Sequence, residues 1–255
     1  MIKSAITFGL VYIPIKLQLV IKNNDISFNL LHKKYNSRIK YIKTCPECTE
    51  DIPQSDIIKG YEYDDDQYAT FDQKDFEKLK SKTDKTINIL QFADISEIDP
   101  IYYDKSYYVS PNGSDTAYSL LVNAMHKQGK VAIARTILGT KECLIALRVK
   151  DMSLVMSTMY FAEEVTQNPT SEVKKLPKND EQLKLALSII ASMSKPFEAK
   201  DYVDEYHKRL LKAIEDKIEG KQIKKVTSPS APTVINLLDA LKQSLEVQEK
   251  KTKSK

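Results

Sequence analysis

Between Ile6 and Ile21 apolar side chains recur at every second position: Ile6, Phe8, Leu10 and Tyr12, then in the opposite phase Ile13, Ile15, Leu17, Leu19 and Ile21. A period of two puts successive side chains on opposite faces, so this stretch reads as a half-buried strand and not as a helix. The phase changes at Pro14, and proline has no N–H to give to a ladder. The expectation is one long strand bent by a bulge at Pro14, as a barrel requires.

Further strands are expected at Ile39 to Lys43 and from Ile57 to Phe71, the latter folded over an acidic turn at Asp64 to Gln67. Asp72 then caps a short helix reaching about Leu79. Strands resume at Thr86 to Phe92 and at Ile101 to Val109. A helix capped by Ser114 or Asp115 follows, with Leu120, Leu121, Ala124 and Met125 as its apolar face and Gly129 as its stop. Lys130 to Leu138 and Glu142 to Val149 form a hairpin around Gly139 and Thr140, with Leu154 to Phe161 after it. Several strands joined by proline-containing turns point to a barrel.

The composition shifts after Val165. Thr166 to Lys178, with Pro169 and Pro177, reads as a connection to helices at Asp180 to Ser194 and Glu198 to Ile218. The first carries Leu183, Leu187, Ile190 and Met193 at helical spacing, the second Tyr202, Tyr206 and Leu210, and both are expected to pack on the barrel or on a partner subunit. A second linker, Thr227 to Pro232, precedes an amphipathic helix at Thr233 to Val247 striped by Val234, Leu237, Leu238, Leu241 and Leu245. A short helix isolated by a linker needs a surface to dock against.

A net charge of +4 conceals a strong segregation. From Met1 to Lys43 eight basic residues face one acid, Asp25; from Thr44 to Asp104 sixteen acids face six lysines; from Lys221 to Lys255 eight lysines face three acids. Such a division suits one surface made for a polyanion and another kept from it. No apolar run reaches the length of a membrane span, so no membrane association is expected. Lys16 and Gln18 interrupt the apolar start, which argues against an export signal. Three cysteines are too few for a disulfide framework and indicate a reducing, cytoplasmic setting.

Several blocks resemble the bacterial Ku family, in order along the chain. They are Ile6-Thr-Phe-Gly-Leu-Val-Tyr-Ile-Pro-Ile-Lys-Leu17, Asp25-Ile-Ser-Phe-Asn-Leu-Leu-His-Lys-Lys34, Asp56-Ile-Ile-Lys-Gly-Tyr-Glu-Tyr63, Glu97-Ile-Asp-Pro-Ile-Tyr-Tyr-Asp-Lys-Ser-Tyr-Tyr108, Lys130-Val-Ala-Ile-Ala-Arg135 and Phe161-Ala-Glu-Glu-Val165. The similarity runs from about Ile6 to Leu245. It implies a mixed, mainly β fold: a Ku-type β-barrel over 1–165 whose inserted bridge, about 25–95, closes a ring in the homodimer. It also implies a helical arm for dimer contact over 166–226, and over 227–255 a linker, a helix that docks an ATP-dependent DNA ligase and a short basic tail. The function implied is sequence-independent binding of double-stranded DNA ends in non-homologous end joining, without catalysis or cofactor, in the bacterial cytoplasm at the nucleoid. The lysine-rich extension of some members is reduced here to Lys250, Lys251, Lys253 and Lys255.

A ring that ignores sequence needs point charges along phosphates more than readers of base edges, and only Arg38, Arg135, Arg148 and Arg209 among the 39 basic residues are arginine. The candidate DNA contacts are Lys33, Lys34, Arg38, Lys40 and Lys43 in the bridge, with Lys16, Lys59, Lys130 and Arg135 as second choices. Leu237, Leu238, Leu241 and Leu245 are the candidate ligase-docking residues. Cys45-Pro-Glu-Cys48 has the spacing of half a zinc site, but tetrahedral zinc takes four ligands, no second such pair exists, and His32 is only a third candidate. No metal is therefore assigned, and the expected role is a remnant of a zinc-ribbon-like bridge. Two other functions stay open: a zinc-ribbon-like interaction module that does not thread ends, and a metal-dependent nuclease using Asp64, Asp65 and Asp66. His32, His126 and His207 stand near no recognisable nucleophile motif, and no glycine-rich phosphate loop occurs.

Overall fold

The structure is a computed structural model, and it describes residues 1–48, 50–79, 86–113, 115–139, 141–166, 168–169, 181–223 and 241. The chain divides into two units, Met1–Gln167 and Asn168–Lys255.

The first unit holds a closed barrel of seven strands: β1 (Ile2–Phe8), β2 (Val11–Leu19), β5 (Ile87–Ala93), β6 (Tyr103–Pro111), β7 (Val131–Leu138), β8 (Lys141–Lys150) and β9 (Ser153–Met159), ordered β1-β2-β6-β9-β8-β7-β5. All neighbours are antiparallel except at the seam, where β1 and β5 run parallel and pair only through Ile6 with Ile87 and Thr7 with Asn88. The expected single bent strand is corrected to a hairpin, β1 turning into β2 at Gly9 and Leu10, where Gly9 takes φ +57°. Glycine adopts that left-handed conformation without steric cost, so the turn falls there and the phase change follows from chain reversal. Pro14 pairs with Ala5, and its carbonyl accepts from Asn112 N at 2.9 Å. The N and O of one strand residue point to the same side, so the missing donor of Pro14 faces the frayed end of β6, where no ladder bond is lost.

Ile6, Ile13, Ile15, Leu17, Ile87, Ile145, Leu147, Leu154 and Met156 are fully buried in the barrel. Helix α2 (Asp115–Gln128) joins this core through Tyr118, Leu121, Val122 and Met125 and stops at Gly129, φ +62°. The buried face is therefore rotated from the expected one: Leu120 and Ala124 are exposed. Tyr118 explains the rotation, because its hydroxyl donates to Val109 O at 2.7 Å and accepts from Leu154 N at 2.9 Å, tying the helix to β6 and β9. Of the two expected caps, Ser114 lies outside the described residues and Asp115 is the first helical residue. Thr140 of the β7–β8 turn also lies outside them.

Between β2 and β5 runs a long insertion. It contains a ribbon of β3 (Lys59–Asp64) and β4 (Gln67–Phe71), followed by α1 (Gln73–Lys78), whose N-terminus is closed by a capping box between Asp72 and Asp75. The ribbon and the short helix fall where the sequence puts them. Residues 39–43 form no strand; between β2 and β3 the only β pairing among the described residues is two isolated bridges, Leu31 with Arg38 and Thr44 with Asp51. Ile87–Ala93, inside the expected bridge span, is barrel strand β5.

In the second unit α3 spans Glu181–Met193 and α4 spans Glu205–Ile218. The second expected helix starts seven residues late: Asp204 caps α4 by accepting from His207 N, while Phe197 stacks on Tyr202 with ring centroids 5.3 Å apart ahead of it. Of the expected C-terminal helix only Leu241 is described, half-buried and helical; Leu237, Leu238 and Leu245 lie outside the described residues.

Candidate nucleic-acid interface

The insertion starts as two small hairpins. In the first, His32 N donates to Ser37 O, Asn36 N to His32 O and Ile39 N to Leu30 O, with Asn36 at φ 50° in the turn. This reversal brings Lys33, Lys34 and Arg38 onto one small loop. The second is closed by Ile52 N donating to Lys43 O at 2.8 Å. Lys40 and Lys43 lie on the connection between them, and among residues 21–44 only Ile26 is even half-buried.

None of these five cations is in an ion pair among the described residues. Lys34 lies 5.0 Å from the Tyr35 ring centre, and the Lys43 ammonium donates to Gln54 Oε1, both contacts that leave the charge uncompensated. Lys59, on the ribbon, sits in the same way over Phe76.

The other second choices differ. Lys130 pairs with Asp94 at 2.8 Å, and that hydrogen bond holds its ammonium above the ordinary lysine value. Arg135 faces Glu142 at 3.8 Å beside an open cavity of about 770 Å³ that Thr7, Tyr12 and Asn88 also line. Both charges are partly spent. Lys16 is different again: it stands directly opposite Lys3 across the β1–β2 ladder. Like charges in that position repel, and an anion laid across them relieves the repulsion. Lys3 was missed by the sequence reading, because only the register of the β1–β2 hairpin brings it to Lys16.

The metal candidates do not converge. His32 Nδ1, with a single lone pair, accepts the backbone N–H groups of Lys34 (3.2 Å) and Tyr35 (3.4 Å) within its own hairpin. Cys45 and Cys48 lie on the other hairpin, and among the described residues no three His, Cys, Asp or Glu side chains gather to hold a metal ion. Asp64 Oδ1 accepts from Asp65 N at 2.9 Å and Asp66 turns the chain at φ 56°, so the acidic triplet is the tip of the ribbon. Among the described residues no helix is long and apolar enough to cross a membrane.

A closed barrel carries a long insertion, and the first hairpin of that insertion and the connection after it expose five cations that make no ion pair among the described residues. Residues 7–185 match the family model described as the Ku70/Ku80 beta-barrel domain. The chain is 42% identical over 249 residues to the non-homologous end joining protein Ku of Lachnoclostridium phytofermentans, covering 97% of this chain and 96% of that one. It is 36% identical to the proteins of the same description from Archaeoglobus fulgidus (96% of this chain, 97% of that one) and Bacillus subtilis (96% and 80%). The chain belongs to the Ku family.

Proposed function

We propose that this chain binds the ends of double-stranded DNA without sequence preference, as a homodimeric ring, in non-homologous end joining. The observation that carries the reading is the uncompensated basic loop of Lys33, Lys34, Arg38, Lys40 and Lys43, solvent-exposed on the insertion of a Ku-family barrel. Lysine charges of this kind neutralise phosphates and read no bases, as end binding at any sequence demands. Lys16 with Lys3 extends the cationic surface onto the barrel wall, and Lys59 adds a charge on the ribbon.

In this reading the protein holds and protects the end at the bacterial nucleoid, and an ATP-dependent ligase, recruited by the helix containing Leu237, Leu238, Leu241 and Leu245, supplies the chemistry. The test is competition: a labelled linear duplex challenged with equal masses of linear or covalently closed circular DNA across a salt series. Strong preference for the linear competitor, with a steep salt slope, supports end threading. Equal competition by circles refutes it and leaves a surface that adheres to any duplex.

A further inference from the structure

We propose that Cys45 and Cys48 form a reversible intrachain disulfide, which makes the tip of the second hairpin a site of oxidation by hydroperoxides. Both cysteines are reduced in the structure and occupy one tight turn, held closed behind them by the Thr44–Asp51 bridge and the Ile52 N to Lys43 O bond. The two sulfurs are already hydrogen-bonded neighbours, so the bond needs only a local closing of this turn. The Cys45 sulfur accepts from the backbone N–H groups of Glu47 and Cys48 and from the Cys48 thiol. Donors aimed at sulfur favour the thiolate, and they hold Cys45 below the ordinary thiol value. Cys48 is exposed, so a small oxidant reaches the pair.

Cys143 on β8 is a built-in contrast. It is half-buried, its thiol donates to Lys141 O at 3.7 Å, and burial pushes its pKa up. The turn thus offers an activated sulfur with a second beside it, and the barrel a sulfur that is neither.

In the reaction the Cys45 thiolate attacks the O–O bond of a hydroperoxide. A sulfenic acid forms, and the leaving oxygen departs, protonated, as water or an alcohol. The Cys48 thiol then attacks that sulfur, the S–S bond forms, and the sulfenic hydroxyl leaves with the thiol proton as water. The two sulfurs give up two electrons to the O–O bond, and a thiol reductant returns them.

The test treats the reduced full-length protein with hydrogen peroxide and then counts thiols and maps peptides by mass spectrometry. The expected result is loss of two thiols of the three, a mass lower by two hydrogens, a cross-link between positions 45 and 48, and recovery on addition of dithiothreitol. Iodoacetamide should modify Cys45 about tenfold faster than Cys143 at neutral pH. Cys48→Ser should stop at a sulfenic acid that dimedone traps. Three surviving thiols, a cross-link between chains in place of the intrachain one, or Cys143 reacting as fast as Cys45 overturns the proposal. So does a tightly held zinc ion that shields both thiols until it is chelated, since the pair would then be a metal site.

Discussion

Replacing Lys33, Lys34, Arg38, Lys40 and Lys43 together by alanine removes five of the charges that the insertion leaves without an ion pair among the described residues. Each phosphate neutralised on duplex DNA contributes about −0.9 to the slope of log K against log salt. If all five meet phosphates, the slope should flatten by about 4 to 5 units per chain and twice that for a dimer. The geometry also says which residues should not behave this way. Lys130 and Arg135 already face Asp94 and Glu142, so Lys130→Ala or Arg135→Ala should leave the slope almost unchanged. The assay is fluorescence anisotropy of a labelled blunt duplex over a potassium chloride series, with thermal melting as a control. All five positions are exposed, so stability should move by no more than roughly 0.5 kcal/mol. A fivefold variant that folds normally and keeps the parental slope would refute the assignment, whatever its affinity at one salt concentration.

Tyr118→Phe removes the hydroxyl that bridges Val109 O and Leu154 N, leaving both groups short of a partner in a buried place; a loss of about 1 to 3 kcal/mol is expected in urea unfolding. Glu164 is held below the usual carboxylate range first by its bond from Lys141 and then by the Phe161 N–H. A depressed carboxylate stabilises the fold above its unfolded pKa and loses that contribution as pH falls through the folded one, so Glu164→Gln should be the less stable protein at pH 7 and the gap should close on acidification below roughly pH 4. Deleting residues 233–255 should leave end binding intact and abolish stimulation of ligation; equal stimulation by the truncated protein would end the docking role. Trypsin cleavage after Lys33, Lys34 and Arg38 should slow as protein concentration rises through the dimerisation range, and a rate indifferent to concentration would count against a dimer that covers the insertion.

Much of the barrel is legible because one face of each strand packs inward: Ile13, Ile15 and Leu17 are all buried, as their spacing demands. What is not legible has identifiable causes. The phase change at Pro14 looks the same whether a strand bends or a chain reverses, and the conformation of Gly9 decides between them. Ile39, Tyr41 and Lys43 alternate with other residues as a strand would, yet a strand exists only beside another, and in the described structure this stretch has none. The face of α2 turns on the two hydrogen bonds of Tyr118, which no periodicity contains. In the candidate site the exposed lysines stand out as a charge run, but Lys3 becomes visible only through the register, and the neutralisation of Lys130 only through the approach of Asp94, thirty-six residues away.

The insertion carries a burden that its own fold does not relieve. Phe28, Leu30, Tyr41, Ile42 and Ile58 are exposed, and so is every residue of β3. A two-stranded ribbon is marginal in water by itself, and apolar surface left wet forgoes about 25 cal/mol for each Å². A loop so weakly held cannot keep five cations in register with a phosphate backbone, because each would lose side-chain and backbone entropy on binding. In the proposed ring a second copy covers this surface, and the order it imposes is what lets the lysines meet DNA already arranged. Dimerisation and end binding are then linked: duplex DNA held by both insertions favours the dimer as strongly as the dimer favours DNA. In that ring the exposed apolar residues and the unpaired lysines, which look like separate defects in one chain, would be two halves of one interface.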